Sequence, residues 1–141
     1  MNQRTIEALN RLLVIHRRSF PMYITEARPW IGPGEERAVE VLQHIEADQE
    51  AMTGRIAETI QAAGGTPDVG QFPIEFTDAH DLALDYLLRA SVAYQQADIR
   101  SIEACIDQLS LSPASRALAQ ESLGQAKGHL QSLTELVAQP A

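Results

Sequence analysis

Between Ile6 and Tyr23 the apolar residues Ile6, Leu9, Leu13, Phe20 and Tyr23 recur at three- and four-residue intervals. That period places them along one side of an α-helix. His16 falls on the same stripe. An ionisable ring on a face that must be buried needs a partner, and this demand constrains the chain more than any other feature. The ring is either a hydrogen-bonded core residue or part of a site.

The same period continues to the end of the chain. The first helix is expected over Thr5 to Ala27, with Thr5 as its cap and a kink near Arg17 to Ser19. Pro21 lacks a donor and clashes one turn back. Arg28-Pro29-Trp30-Ile31-Gly32-Pro33-Gly34 then makes a turn. A second helix is expected over Glu35 to Ala63, carrying Ala38, Val41, Leu42, Ile45, Met52, Ile56 and Ile60 on one face. Gly64 and Gly65 end it, and Pro67 follows. A third is expected from Asp78 to Leu109, capped by Thr77. Its stripe, Asp81, Leu84, Leu88, Ser91, Gln95, Asp98, Ile102, Cys105 and Leu109, is polar in the middle and mostly apolar toward the ends. A fourth starts at Pro113 behind a Ser112 cap and runs to about Val137. It carries Ser115, Leu118, Ser122, Ala126, His129, Leu133 and Leu136.

Thr66 to Phe76 has no helical period but keeps Val69, Phe72, Ile74 and Phe76, so it should lie on the protein. The second helix spans about 43 Å at its usual rise. The nearly extended connection after it reaches about 46 Å. It can therefore cross the whole bundle and start the third helix parallel to the second. The expectation is one all-α domain over residues 1–141, a four-helix bundle with one long crossover. An up-down-up-down bundle with an oversized second loop is the alternative.

Composition narrows the function. The formal charge of −8 repels phosphate, so nucleic acid is not expected as a partner. Arg4, Arg11, Arg17 and Arg18 read as a solvated face. The single cysteine, Cys105, forms no intrachain disulfide and reads as a small core residue between Ile102 and Ile106, without an evident basic neighbour. No signal-like or membrane-length apolar run occurs, which leads to the expectation of a cytoplasmic protein with no membrane partner.

With the first turn centred near Trp30, His16 and His44 lie at the same height on an antiparallel pair. With the last turn centred near Ser112, Gln95 and Asp98 lie level with His129, next to Tyr94. His16, His44 and His129 with Asp98, and with Asp48 one turn beyond His44, have the donor types for a transition-metal site. Glu40, one turn before His44, is a further candidate partner. The competing reading is a polar layer of core hydrogen bonders that sets register. His80 reads as a surface residue.

These residues lead to a resemblance. L-N-R-L-L near the start, I-Q-A-A-G-G-T-P at the end of the second helix, A-Y-Q-Q-A, and S-P-A-S-R-A-L-A-Q-E-S-L-G-Q-A-K-G-H-L are similar to small bacterial bundles of the ferritin-like superfamily. The likeness covers nearly the whole chain and rests on packing and turn features. It implies the ferritin-like fold, and a metal centre built from Glu on the first and third helices and Glu-x-x-His on the second and fourth. Here the first helix offers His16, the second Val41-x-x-His44, the third Gln95 or Asp98, and the fourth Ala126-x-x-His129. The bridging glutamates are missing, so a di-iron centre is not expected, whereas the residues leave room for a single Zn²⁺ or Fe²⁺.

Two functional expectations follow. One is a bundle binding one transition-metal ion. The other is a non-catalytic homodimeric interaction or stress-type bundle, with Trp30, Phe72 and Phe76 as a contact patch. A mid-bundle pocket lined by Tyr23, Ser91 and Tyr94 is a third possibility. No phosphate loop, dinucleotide fingerprint or zinc-finger spacing is present.

Overall fold

The computed structural model describes residues 2–27, 32–79 and 82–138, and its regular elements are all helical. They are α1 (Gln3–Arg17), α2 (Phe20–Ala27), α3 (Glu36–Ala62), a 3-10 turn (Ile74–Ala79), α4 (Leu84–Asp107) and α5 (Pro113–Ala138). None of these helices is long and apolar enough to cross a membrane.

The expected first helix is two helices. Asn2, not Thr5, caps α1: its Oδ1 accepts from the Thr5 N–H at 2.9 Å, while the Thr5 side chain is buried. The anticipated kink is a full break at Arg18 and Ser19. The Ser19 hydroxyl accepts from the Met22 N–H at 3.3 Å and so opens a new helix. Pro21 is the second residue of α2, where no intrahelical donor is needed. Its ring therefore starts a helix instead of distorting one.

α3 ends as its sequence predicts. Gly64 adopts a left-handed φ of 83°, and the Gly65 N–H reaches back to the Ile60 carbonyl at 2.9 Å. This is the Schellman arrangement. Gly65 also lies where a Cβ would sit 2.9 Å from Ile6 Cγ2, so the turn closes directly onto α1.

The crossover is pinned to α1 along its length. Asn10 Nδ2 donates to the Thr66 carbonyl and its Oδ1 accepts from the Asp68 N–H, at 3.2 and 2.8 Å. Arg18 Nε donates to the Val69 and Gly70 carbonyls, at 3.0 and 3.2 Å. The Arg18 guanidinium then covers the Phe72 ring at 4.8 Å. Phe72 and Phe76 turn inward onto Tyr23, Phe20 and Tyr94, with ring centroids 4.9–5.2 Å apart for the closest pairs. The expected surface patch is thus corrected: Phe76 is buried, Phe72 is half-buried, and Trp30 lies outside the described residues. α4 begins at Leu84, six residues later than expected, because Ile74–Ala79 tightens into the 3-10 turn. Thr77 serves that turn, donating to the Ile74 carbonyl at 2.7 Å, and the N-cap of α4 is Ala83. His80 and Asp81 lie outside the described residues.

α1 with α2 packs on α3, and α4 packs on α5; α1 also meets α4, and α3 meets α5. α3 and α4 therefore occupy opposite corners, joined by the crossover, as in the ferritin-like arrangement. The interior holds two apolar cores. One gathers Leu9, Leu12, Leu13, Met52, Ile56, Ile60, Ile102, Cys105 and Ala119. The other gathers Phe20, Ile24, Leu42, Ile45, Phe76, Leu84, Leu87 and Leu133. Burial of each such Leu, Ile or Phe stabilises the fold by about 1.5–3 kcal/mol.

Candidate functional site

Each leg of the bundle passes from one core to the other through polar side chains. Between Leu13 and Phe20 come His16 and Ser19; between Ile45 and Met52 come Asp48 and Gln49; between Leu88 and Ile99 come Ser91, Gln95 and Asp98; between Ala126 and Leu133 comes His129. His16, Ser19, Gln49, Ser91, Gln95 and His129 are all buried. Polar residues so placed need partners, and most have them. Ser19 Oγ donates to Gln49 Oε1 at 2.8 Å, Ser91 Oγ to the Leu87 carbonyl at 2.8 Å, and Gln95 Nε2 to the Ala126 carbonyl at 3.1 Å.

Asp48 is the meeting point of two histidines. Its Oδ2 lies 2.8 Å from His129 Nε2 and 3.5 Å from His44 Nε2. His129 is buried, whereas the His44 side chain is 76% exposed and stands on the solvent side of Asp48. His16 lies inside, near His129. Burial first, and the His129 charge second, lower its pKa from 6.5 to about 4, so the ring is neutral at pH 7. Among the described residues its Nε2 has no hydrogen-bond partner, and neither does Gln95 Oε1. Asp98 is partly buried, and loss of water pushes its pKa up from 3.8 to about 7.

The residues singled out from the sequence are thus partly brought together. Asp48 joins His129 and His44, and His16 neighbours His129. The expected inward convergence of three imidazoles is not seen: His44 faces outward, and among the described residues no three His, Cys, Asp or Glu side chains converge as a metal-ligand set. Sequence reasoning also missed two pairings that only tertiary structure creates. Ser19 with Gln49 is one. The other sets Arg11 against Cys105, where a basic neighbour had not been expected.

A di-iron centre does not fit this interior. Val41 and Ala126, the positions where the resemblance implies glutamates, both pack among apolar side chains. Two adjacent irons need several anionic oxygens. The layer does leave two buried polar atoms, His16 Nε2 and Gln95 Oε1, without a hydrogen-bond partner among the described residues.

No family model matches the sequence, and neither does any curated protein. Solved structures do match. A crystal structure described as ferritin-like, diiron-carboxylate proteins from Bacillus anthracis str. Ames superposes with a TM-score of 0.78, over 97% of this chain and 99% of that one, at 19% identity. At that identity the likeness speaks for the fold. Helix order, crossover and full-length superposition agree: this chain is a four-helix bundle of the ferritin-like fold.

Proposed function

We propose that the polar layer binds one divalent transition-metal ion, Zn²⁺ or Fe²⁺, through His16 and His129, with Asp48 and Asp98 as the carboxylate donors. The observation that carries this reading is the buried, neutral His16, whose Nε2 finds no hydrogen-bond partner among the described residues. The diiron-carboxylate description of the Bacillus anthracis neighbour supports metal binding by a bundle of this fold. The loss of the glutamates supports one ion in place of two. An ion held there would supply Lewis-acid or redox chemistry.

The chain's own residues prepare the layer. Burial keeps His16 in the neutral form a metal requires. Asp48 orients the His129 ring through Nε2, and that bond must open for Nε2 to become a donor. A cation beside Asp98 would offset the desolvation that now holds its proton. His44, at the outer edge of Asp48, is the most accessible of these groups to solvent.

One observation favours a second reading. His129 Nε2 is already satisfied by Asp48, as expected if the layer is a structural device in a non-catalytic, self-associating bundle. Elemental analysis after anaerobic reconstitution with Fe²⁺, and separately with Zn²⁺, separates the two. About one ion per chain, lost in His16→Gln and His129→Gln variants that remain folded, supports the metal site. A content far below one ion per chain overturns it and leaves the structural reading.

A further inference from the structure

Away from the polar layer, a cavity of about 720 Å³ opens between α1, α4 and the crossover. That volume lies within the range of small-molecule sites. Val14 and Ile15 of α1 and Ala104 and Cys105 of α4 give it an apolar lining. The third side is the crossover, held in place by the Asn10 bonds and by Gly70, where even a Cβ would press on Val14 at 3.2 Å. The cavity is therefore preformed and not a gap that side chains could close by a small shift.

Arg11 is the one cation lining it among the described residues. Its guanidinium donates to Gln108 Oε1 and faces the Cys105 thiol. Both are neutral near pH 7. Among the described residues no carboxylate makes an ion pair with Arg11. A guanidinium set beside hydrocarbon with only neutral acceptors is a carboxylate receptor in waiting, because a charged acceptor makes much the stronger bond. The rim adds a second condition. Glu7 and Asp68 also line the opening, and Asp68 is already engaged with the Gly70 N–H of its own turn at 3.0 Å. Two fixed negative charges disfavour phosphates and polycarboxylates.

We infer that this cavity binds a small amphipathic monocarboxylate, its carboxylate on Arg11 and its hydrocarbon tail over Val14, Ile15, Ala104 and Cys105. This inference is independent of the metal proposal and shares no residue with it.

Cys105 is the only thiol in the chain and its buried side chain lines this cavity, so under native conditions its modification reports on access through it. The test measures the rate at which N-ethylmaleimide labels Cys105 in the full-length protein, with octanoate, octanol, octylammonium or inorganic phosphate present. Octanoate should slow labelling in a saturable way, with an affinity at least about tenfold above that of octanol, the difference expected for a hydrogen bond to a charged group. Octylammonium and phosphate should not protect. Arg11→Gln should erase the advantage of octanoate over octanol, and Arg11→Lys should keep part of it. Equal protection by octanol and octanoate, stronger protection by phosphate, or none by octanoate would each overturn the inference. The comparison among probes on the unaltered protein decides it even if a variant fails to fold.

Discussion

His129 and Asp48 are joined across the seam between α5 and α3 by a 2.8 Å bond from imidazole Nε2 to carboxylate Oδ2. The imidazole is buried and the carboxylate is partly open to solvent. Removing the two partners therefore has unequal effects. Asp48→Ala leaves a buried ring without its acceptor and should destabilise the fold by about 1–3 kcal/mol. Asp48→Asn can still hydrogen-bond and should cost less. His44→Ala, at an exposed ring, should stay within about 0.5 kcal/mol of the parent. Urea denaturation midpoints check the order, and equal losses for Asp48→Ala and His44→Ala would contradict it.

The metal-free protein should show a compensated pH profile. His16 has a native pKa of about 4 against its usual 6.5. Between those values the unfolded chain binds a proton that the native state refuses, so this contribution rises with pH. It is complete above pH 6.5 and lost as the pH falls through about 4. Asp98 has a native pKa of about 7 against its usual 3.8. There the native state keeps a proton that the unfolded chain has released, so this contribution falls with pH. It is complete below pH 3.8 and gone above about 7. Over the shared window the slopes oppose. Asp98→Asn should uncover the His16 slope, with stability climbing by about 2–3 kcal/mol from pH 4 to 6.5. His16→Leu should uncover the opposite one. Denaturation in the presence of a chelator across this range tests both, and a flat Asp98→Asn profile would refute the assignment.

Phe76 fastens the crossover to the helices, and its ring packs 4.9 Å from Phe20 and 5.1 Å from Tyr94. Phe76→Ala should cost about 3–5 kcal/mol, as for other buried aromatic truncations. The loss should be local at first. Limited proteolysis should cut between Thr66 and Ile74 well before it cuts the helices. Cleavage in the helices first would show that the crossover is held by other contacts.

Gly65 has no room for a side chain, since its Cβ would stand 2.9 Å from Ile6 Cγ2 and 3.0 Å from Ile60 Cγ2. Both are branch-point methyls with little freedom to withdraw. Gly65→Ala should lower stability by about 1–3 kcal/mol through overpacking. Gly54→Ala serves as the control. Its added methyl meets nothing within 4 Å and lies within α3, where Ala is the better helix former. Thermal unfolding of the two variants should move in opposite directions.

The helical period made most of this fold readable. Leu9 and Leu13 on α1, and Ile45, Met52 and Ile56 on α3, lie in the interior where their spacing puts them, and Ile6 packs half-buried against them. Gly64 and Pro113 mark a helix end and a helix start for local reasons, and local reasons are visible in sequence. The errors came where a short polar residue had several possible roles. Thr5, Ser19 and Thr77 can all cap a helix. Asn2 capped α1 instead of Thr5, Ser19 opened α2, and Thr77 was absorbed by a turn. The site was legible as a height along the bundle but not as an arrangement. His44 and His129 were placed at mid-bundle, yet a residue at the edge of a stripe can face either way, and His44 faces out. The Arg11–Cys105 approach joins residues far apart in the chain, and no local pattern encodes it.

The division of the interior into two cores by a polar seam has a consequence for how the helices can move. Sliding α5 along α3 by a single turn would cost little in a uniform oily bundle, since one leucine replaces another. Here it would drag His129 into hydrocarbon and strand Asp48 and the Ala126–Gln95 bond at once. The helices are therefore locked axially, like wards in a key, and any motion that opens the centre must swing them apart instead of shearing them past each other.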